Sequence, residues 1–376
     1  MGIAVMKQPR NPIRLGHAAR IRCTPFDLSR AMNTPPTKVS VQTPTQSSMT
    51  AILSSRNQEL KGGYYVKVQE SIVMVPKSLF DQIPPEIRNS LFFSNGNGLS
   101  FHEPIHLHGP TVLQLRHLIH AFTNYPNLDI HNIPLDQLFN IAELACQYGL
   151  ANIKSWVLRG VEAVLNRGDT PLRTGPNELF IRALRIATSY NYLPLRNSIE
   201  AKWITRLYWN QLSPLPALLE ADKLGLPNLQ RNSYYLHMVE RATMGDIVEY
   251  CRQSPSSSSP LSHEQRTHLL EGYYSFAAYW KKTSLSPPDF MPSPECVGHA
   301  QCLAAWRMRW VMACSQPSLT PEVDVLKRLV GVETVLKGDE VLMACLDGAC
   351  RMSALASISR KRTEVSRSLH HHFDLD

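Results

Sequence analysis

This sequence of 376 residues has none of the short motifs that are typical of common enzyme classes. It has no Walker-type phosphate loop, no Gly-x-Gly-x-x-Gly turn and no His-Glu-x-x-His helix. No serine or cysteine stands at a nucleophile elbow, and we assign no acid or base role to the histidines between residues 102 and 131. These absences favour a non-enzymatic protein with no catalytic residues and no cofactor.

Long apolar runs are also missing: none reaches the roughly 18 residues that a membrane-spanning helix needs. Hydrophobic residues make up 43% of the chain and charged residues 19%, which suits a soluble protein with a substantial core. Eight cysteines are scattered along the chain, and no secretory leader precedes them. This pattern favours reduced thiols over a disulfide framework, so we expect a cytoplasmic or nuclear protein that does not bind membranes.

Acidic residues are scarce at the start of the chain. Residues 1–56 contain eight Lys and Arg against the single acid Asp27, a balance of +7 that leaves only +1 of the overall +8 for the remaining residues. A basic groove in the folded part is therefore not expected, and nucleic acid is disfavoured as its partner. Residues 1–60 are rich in Pro, Ser, Thr and Gln, which predicts a disordered basic tail. A targeting segment or a start codon placed too early would also explain this composition.

Strand and helix patterns begin at Tyr64. Alternating apolar residues predict a hairpin across Tyr64–Val75, and short helices follow before a strand at Ile105–Leu107. From residue 112 onward apolar residues recur at helical spacing almost to the end. We therefore predict an α+β protein that is mostly helical, with a small α/β domain followed by an all-helical C-terminal region. The predicted divisions are a tail (1–60), an α/β domain (61–168), a helical subdomain (175–250), a Ser/Pro linker (251–262) and a C-terminal helical region (263–376).

The order of these elements, with its dispersed apolar anchors, resembles the BTB (POZ) family. The anchors are Leu-Phe pairs near the ends of the first two helices, a Phe-x-x-Tyr that closes a later helix, and a final Tyr-Gly-Leu. The Val-Pro-Lys-Ser-Leu-Phe segment, Val75–Phe80, is similar to the large fungal, particularly mushroom, branch of the family. The Lys-x-Gly-x-Pro-x-Leu segment, Lys223–Leu229, extends this resemblance beyond the domain. The matching anchors are Leu79-Phe80, Leu91-Phe92, Phe122–Tyr125 and Tyr148-Gly149-Leu150.

This resemblance implies a non-enzymatic scaffold for protein–protein interaction. It also implies self-association through the first strand and helices, and a role as substrate adaptor for a cullin ubiquitin ligase. The implied partners are proteins, including a second copy of the chain and a cullin. The alternative is a nuclear regulator whose basic residues 1–56 contact nucleic acid by neutralising phosphates. The expected interaction residues, on the premise that their apolar side chains are exposed, are Tyr64, Val66, Leu79, Phe80, Leu91 and Phe92.

Cysteine and histidine near the C-terminus offer the ligand types that zinc prefers. The segment Cys296-x2-His299-x2-Cys302 has Cys314 beyond it. Three ligands on consecutive turns of one helix cannot close a tetrahedron unaided, so the sequence favours buried helix thiols and no metal site. Cys345 and Cys350 are likewise predicted to be core cysteines. His370, His371 and His372 are predicted to belong to a polar tail.

Overall fold

The computed structural model describes residues 62–91, 98–125, 127–167, 171–252, 260–318 and 320–375, without the side chains of Ser90 and Leu91. These residues belong to one compact unit that extends from Leu60 to Asp376. Within them the chain forms 17 α-helices and one three-stranded sheet, which confirms the predicted α+β, mostly helical fold class. The predicted tail lies outside the described residues, as does most of the predicted linker. No helix in the described ranges combines the length and hydropathy needed to cross a bilayer.

The sheet is small and has the first strand at its centre. Strand β1 (Gly63–Val68) pairs antiparallel with β2 (Ser71–Pro76) and parallel with β3 (Ile105–Leu107). The strand order is therefore β2-β1-β3. Gln69, in the tight turn, has a φ of 54°, a left-handed value that few non-glycine residues adopt. As the middle strand, β1 is paired along both edges, and its side chains Val66 and Val68 are fully buried.

Five helices complete the first part of the fold. Helix α3 begins with a capping box, in which Thr111 and Gln114 each accept a backbone N–H from the other residue. Gly160, in α5, has no side chain, and the space that a Cβ would need is filled by Ile130, only 2.3 Å from the position of that Cβ. The five helices are α1 (Lys77–Gln82), α2 (Pro85–Leu91), α3 (Val112–Asn124), α4 (Leu135–Gln147) and α5 (Ala151–Leu165).

Five more helices lead into the middle of the chain. Several of them have a proline in their first turn, where its missing N–H costs no helical hydrogen bond. The helices are α6 (Pro171–Thr174), α7 (Asn177–Ser189), α8 (Leu193–Tyr208), α9 (Pro214–Leu224) and α10 (Pro227–Met244).

The last seven helices differ from the predicted boundaries where an aspartate side chain starts a helix. Asp324, Asp339 and Asp347 each accept backbone N–H groups of the following turn. The helical spacing of apolar residues, which runs on through residues 339–368, is thereby divided between two helices. The helices are α11 (Ile247–Arg252), α12 (His263–Leu285), α13 (His299–Cys314), α14 (Val325–Lys337), α15 (Glu340–Cys345), α16 (Gly348–Arg367) and α17 (Leu369–His372).

Two hydrophobic cores meet along α9 and α10. The first core runs from the sheet to Leu229, and the second runs from Leu218 to Phe373. Within α9, Ala217 packs in the first core while the next residue, Leu218, packs in the second. Both cores therefore share the same helix pair, which lies inside the predicted subdomain 175–250.

Polar contacts also join the predicted α/β domain to the helices beyond it. The Arg182 guanidinium on α7 donates to both carboxylate oxygens of Glu143 on α4, at 2.6 and 2.9 Å. It also donates to Asn140 at 2.7 Å. The Tyr190 hydroxyl donates to the backbone oxygen of Ala142. A bidentate pair fixes the relative orientation of its two groups as well as pairing their charges. It therefore holds α4 and α7 in a defined relative position.

Candidate protein-interaction site

Three of the six predicted interaction residues lie inside the first core. Val66, Leu79 and Phe80 are buried, so the expectation that they are exposed is wrong. The reason is that α1 turns Leu79 and Phe80 inward, where they line the same interior space as Val66 of β1. Tyr64 is half-buried, with its ring centroid 4.6 Å from that of Phe80.

The remaining two predicted residues receive no side-chain description. Leu91 ends α2, but its side chain is not described, and Phe92 lies outside the described residues. Exposed apolar side chains do occur elsewhere in this part of the chain, at Leu99, Phe101 and Leu113. Any surface contact made by the α/β part therefore involves residues other than the buried Val66, Leu79 and Phe80.

A large cleft lies between the middle and C-terminal helices. Its volume is about 1510 Å³, above the roughly 300–1,000 Å³ typical of small-molecule pockets. Its walls are the end of α8 with the turn that follows, the exposed side of α10, the start of α14 and the last turns of α16. A cleft of this size suits an extended or helical polypeptide segment better than a single small ligand.

A left-handed turn after α8 places a tryptophan at the rim of this cleft. Asn210 has a φ of 52° and donates its N–H to Leu207, while Gln211 donates to Arg206. Such a turn is a common way for a helix to end, and asparagine tolerates it. It leaves Trp209, at the helix end, 72% exposed. Met244, where α10 ends across the cleft, is also largely exposed.

The floor of the cleft is built from satisfied polar groups. The Tyr235 hydroxyl donates to the Asp324 carboxylate at 2.9 Å and accepts the Leu326 N–H at 3.1 Å. Burial, and next the charge of Asp324, raise the pKa of Tyr235 well above its usual value. Burial also raises the pKa of Asp324, although the Tyr235 hydroxyl and the Lys327 N–H oppose that rise. These groups fix the start of α14 and leave the floor rigid.

The wall formed by α14 and α16 carries positive charge. Lys327, Arg362 and Arg367 line it. Facing them are Glu240, which is 3.1 Å from the His237 ring nitrogen, and the buried Asp324. A shallower groove along α16 shares Arg367 and Thr363 with the cleft and adds Arg360 and two histidines. The lining thus has three cationic side chains against two carboxylates, and Arg362 also pairs with Glu333 at 3.8 Å. The near-neutral charge of the folded chain predicted no basic groove, and the local surplus of positive charge is small.

The cleft offers binding chemistry and no recognisable catalytic set. Among its described lining residues there is no histidine and no cysteine. Its one buried carboxylate, that of Asp324, is already engaged by Tyr235 and by the Lys327 N–H. Apolar rim residues combined with cationic side chains are the composition of a recognition surface.

A second cluster brings together cysteine and histidine side chains from two helices and a loop. Cys296 lies in the loop before α13, His299 begins α13, and Cys350 lies in the first turn of α16. Their ligand atoms all lie within 4.8 Å of one another. Cys302 adds a fourth group, since its Sγ is 3.6 Å from the Sγ of Cys296. Burial, followed by hydrogen bonds with Cys302 and Cys350, raises the pKa of the Cys296 thiol to about 11.

The predicted placement of Cys296, His299 and Cys302 on one helix is wrong. Cys296 is not on the helix, and a partner comes from Cys350, which no local spacing could connect to it. Cys345, predicted to be a core residue, is exposed, because the helix breaks before Asp347. Cys314, the other candidate, lies at the far end of α13, separated from this cluster by the length of the helix.

The other histidines occupy positions that do not suggest catalysis. The histidines between residues 102 and 131 are exposed, apart from the half-buried His117, whose pKa is lowered by burial and then by His120. The predicted polar tail is wrong for His372. Its ring stacks on Phe276 with centroids 4.0 Å apart, and its Nδ1 is 2.8 Å from the Ser275 hydroxyl. The exposed histidines are His102, His106, His108, His120 and His131.

Comparisons with known proteins add no relative: no family model, no curated protein and no solved structure matches this chain.

Proposed function

We propose that this protein is a non-enzymatic scaffold whose cleft binds an acidic segment of a partner protein. The observation that carries the proposal is the exposed Trp209 at the rim of a 1510 Å³ cleft with Lys327, Arg362 and Arg367 on its wall. Tryptophan is strongly enriched among residues that dominate binding energy, and a contiguous exposed apolar surface usually marks a contact site. The basic wall selects for acidic residues flanking an apolar anchor.

A BTB-like head is the second part of the proposal. The described elements follow one another as β1, β2, α1, α2, β3, α3, α4 and α5, which is the order that the BTB resemblance implies. The proposed roles of this head are self-association and cullin binding through the helices between Pro85 and Tyr148. Since Val66, Leu79 and Phe80 are buried, a dimer would use other surfaces, such as the one around Phe101.

The cellular setting is part of the same proposal. All seven cysteines in the described residues are free thiols, as reducing compartments favour. We therefore place the scaffold in the cytoplasm or nucleus.

Photo-cross-linking in the full-length chain tests the cleft. We expect p-benzoylphenylalanine at position 209 to capture partner segments rich in Asp and Glu, whereas the same residue at the exposed control Tyr274 does not. Equal capture at both positions would contradict the proposal. Capture of RNA or DNA at position 209 would contradict a protein partner and indicate that the cleft binds nucleic acid.

Affinity for a captured segment, made as a peptide, tests the energetics. Trp209→Ala should weaken binding by about tenfold or more, since such anchors often contribute about 2 kcal/mol. Lys327→Glu with Arg367→Glu should weaken binding and flatten its salt dependence. Tyr274→Ala and Arg307→Glu, both on exposed positions outside the cleft, are the matched controls.

Two further measurements address the head. Light scattering after size exclusion should give twice the chain mass at micromolar concentration, and a monomer would remove the dimer. Recovery of a cullin with the full-length chain, lost when residues on α2–α4 are changed, supports the adaptor role. Absence of any cullin would remove it and leave the cleft proposal standing.

A further inference from the structure

The strongest unassigned feature is the cluster formed by Cys296, His299, Cys302 and Cys350. Its four side chains supply three sulfurs and one imidazole nitrogen, a ligand set that structural zinc sites commonly use. Zn²⁺ accepts this combination because it has no geometric preference of its own and binds both thiolate and imidazole. The cluster lies within the second core and is separate from the cleft.

The distances match those expected around one zinc ion. Two sulfurs held at about 2.3 Å from the same tetrahedral Zn²⁺ lie about 3.8 Å apart. The Sγ atoms of Cys296 and Cys302 are 3.6 Å apart, too far for a disulfide and close to this tetrahedral edge. The Cys350 Sγ lies 4.0 Å from Nδ1 of His299. The ligand atoms of Cys296, His299 and Cys350 lie within 4.8 Å of one another, and Cys302 adjoins this group through its contact with Cys296.

The groups around the cluster orient its side chains and shield them from water, as the surroundings of a metal site do. The Ser293 N–H donates to the Cys350 sulfur at 3.3 Å, the kind of hydrogen bond that orients a thiolate ligand. The rings of Phe290 and His299 meet edge to face with centroids 5.6 Å apart, which limits rotation of the imidazole. Cys302 and Cys350 are buried, so both sulfurs are shielded from bulk water.

The loop between α12 and α13 is the segment that a metal ion at this site would hold in place. Residues 286–298 have no regular secondary structure, and they are anchored mainly by the buried Phe290 and by a Trp306 N–H bond to Pro288. Met291 and Val297 on this loop are highly exposed. A loop of this length needs tethering, and a metal tie is one established means.

We propose that Cys296, His299, Cys302 and Cys350 bind one Zn²⁺ ion in a closed tetrahedral site. The ion fastens the 286–298 loop and the start of α13 to the first turn of α16. With four protein ligands no position is left for water, so the role is structural. This inference does not depend on the proposed function of the cleft.

Metal analysis of the purified full-length chain is the first test. We expect about one zinc per chain. Cys350→Ser, Cys302→Ser and His299→Ala should each lose most of it, whereas His299→Cys should retain it because four zinc ligands remain. Cys345→Ser, an exposed cysteine five positions from Cys350, is the control and should bind zinc like the wild type.

Measurements on the unmodified chain cover the case in which variants fail to fold. Replacing zinc by Co²⁺ should give the intense visible bands of tetrahedral cobalt together with thiolate charge-transfer absorption. Titration of the thiols with a mercurial should release the zinc as the cluster cysteines react. A chain with no zinc, with iron in its place, or with a Cys296–Cys302 disulfide in its intact mass would overturn the proposal.

Discussion

At the scale of single residues, the cleft floor depends on one hydroxyl group. Tyr235 is buried, and its hydroxyl bridges Asp324 and the Leu326 N–H. Tyr235→Phe removes both of these hydrogen bonds and leaves the Asp324 carboxylate with the Lys327 N–H, so we expect the free energy of unfolding to fall by about 1–3 kcal/mol. Urea denaturation measures the change. Tyr274→Phe, at an exposed position, should change it by less than about 0.5 kcal/mol, and equal effects would contradict the argument.

Asp339 makes stability depend on acidity. Burial would raise the pKa of Asp339, but the Leu342 N–H and then Arg309 lower it overall, below its ordinary 3.8. The Leu342 N–H lies 2.8 Å away and the Arg309 Nε 2.7 Å away. A carboxyl with a lowered folded pKa stabilises the fold above its unfolded pKa, and this contribution is lost as pH falls through the folded value.

Asp339→Asn should therefore destabilise the protein near neutral pH by about 1–3 kcal/mol. The difference from the wild type should shrink as pH falls below about 4. Denaturation curves at pH 7, 5, 4 and 3 measure this. Asp129→Asn, an exposed helix-capping aspartate with no arginine partner among its hydrogen bonds, should give a small difference with little pH dependence.

Residue roles were only partly accessible from the sequence. Trp306 and Trp310 lie four residues apart, a spacing typical of a buried helix face, and both are buried. Trp209 was not singled out, although Trp-Asn after an apolar helix is compatible with a left-handed turn that exposes the tryptophan. Cys350 could not be connected to Cys296, because that contact depends on how two distant helices pack.

At the scale of elements, the C-terminus is locked onto α12 through a glycine. A Cβ at Gly272 would lie 2.0 Å from the Phe373 ring, which is fully buried there. Gly272→Ala should therefore destabilise the fold by about 1–3 kcal/mol or more, despite the better helix propensity of alanine. Thermal or urea unfolding measures the loss.

Gly331 provides the matched comparison within α14. A Cβ there would meet nothing within 4 Å, so Gly331→Ala should stabilise the protein by up to about 1 kcal/mol. If the Phe373 ring causes the Gly272 effect, Phe373→Leu combined with Gly272→Ala should cost less than the sum of the two single changes. Strict additivity would rule out that contact as the cause.

Apolar periodicity predicted the positions of the strands and helices well, but it predicted the residues at which they begin and end less well. The hairpin and the Ile105–Leu107 strand were predicted nearly as observed. The helix start at Gly348 was missed because the Asp347 cap interrupts a helical pattern that runs through it. The sheet order was inaccessible too, since it depends on the parallel pairing of β1 with a strand far along the chain.

At the scale of the whole molecule, the shared helix pair predicts coupled stability. Leu229 on α10 is fully buried in the first core, and the same helix carries Tyr235 in the second. Leu229→Ala should cost about 2–5 kcal/mol. It should speed global amide exchange in α4 of the first core and in α13 of the second core alike. Hydrogen exchange with mass spectrometry measures both. Faster exchange on one side alone would contradict the coupling, and Leu285→Ala, at an exposed site, should leave both unchanged.

The fold class could be predicted from the sequence, because helical and strand periods are local. The burial of the expected interaction residues could not, because Val66 and Phe80 look alike in sequence whether they face a partner or the chain's own helices. The cleft was equally hidden, since its walls come from four helices that are far apart in sequence.

The turn after α8 also makes the fluorescence of Trp209 an intrinsic reporter of the cleft. Of the six tryptophans, Trp209 is exposed and the other five are buried. Collisional quenchers such as iodide should therefore extinguish the emission of this one indole and spare the rest. A ligand that covers the cleft should restore the quenched fraction, so occupancy can be read in the unlabelled native protein.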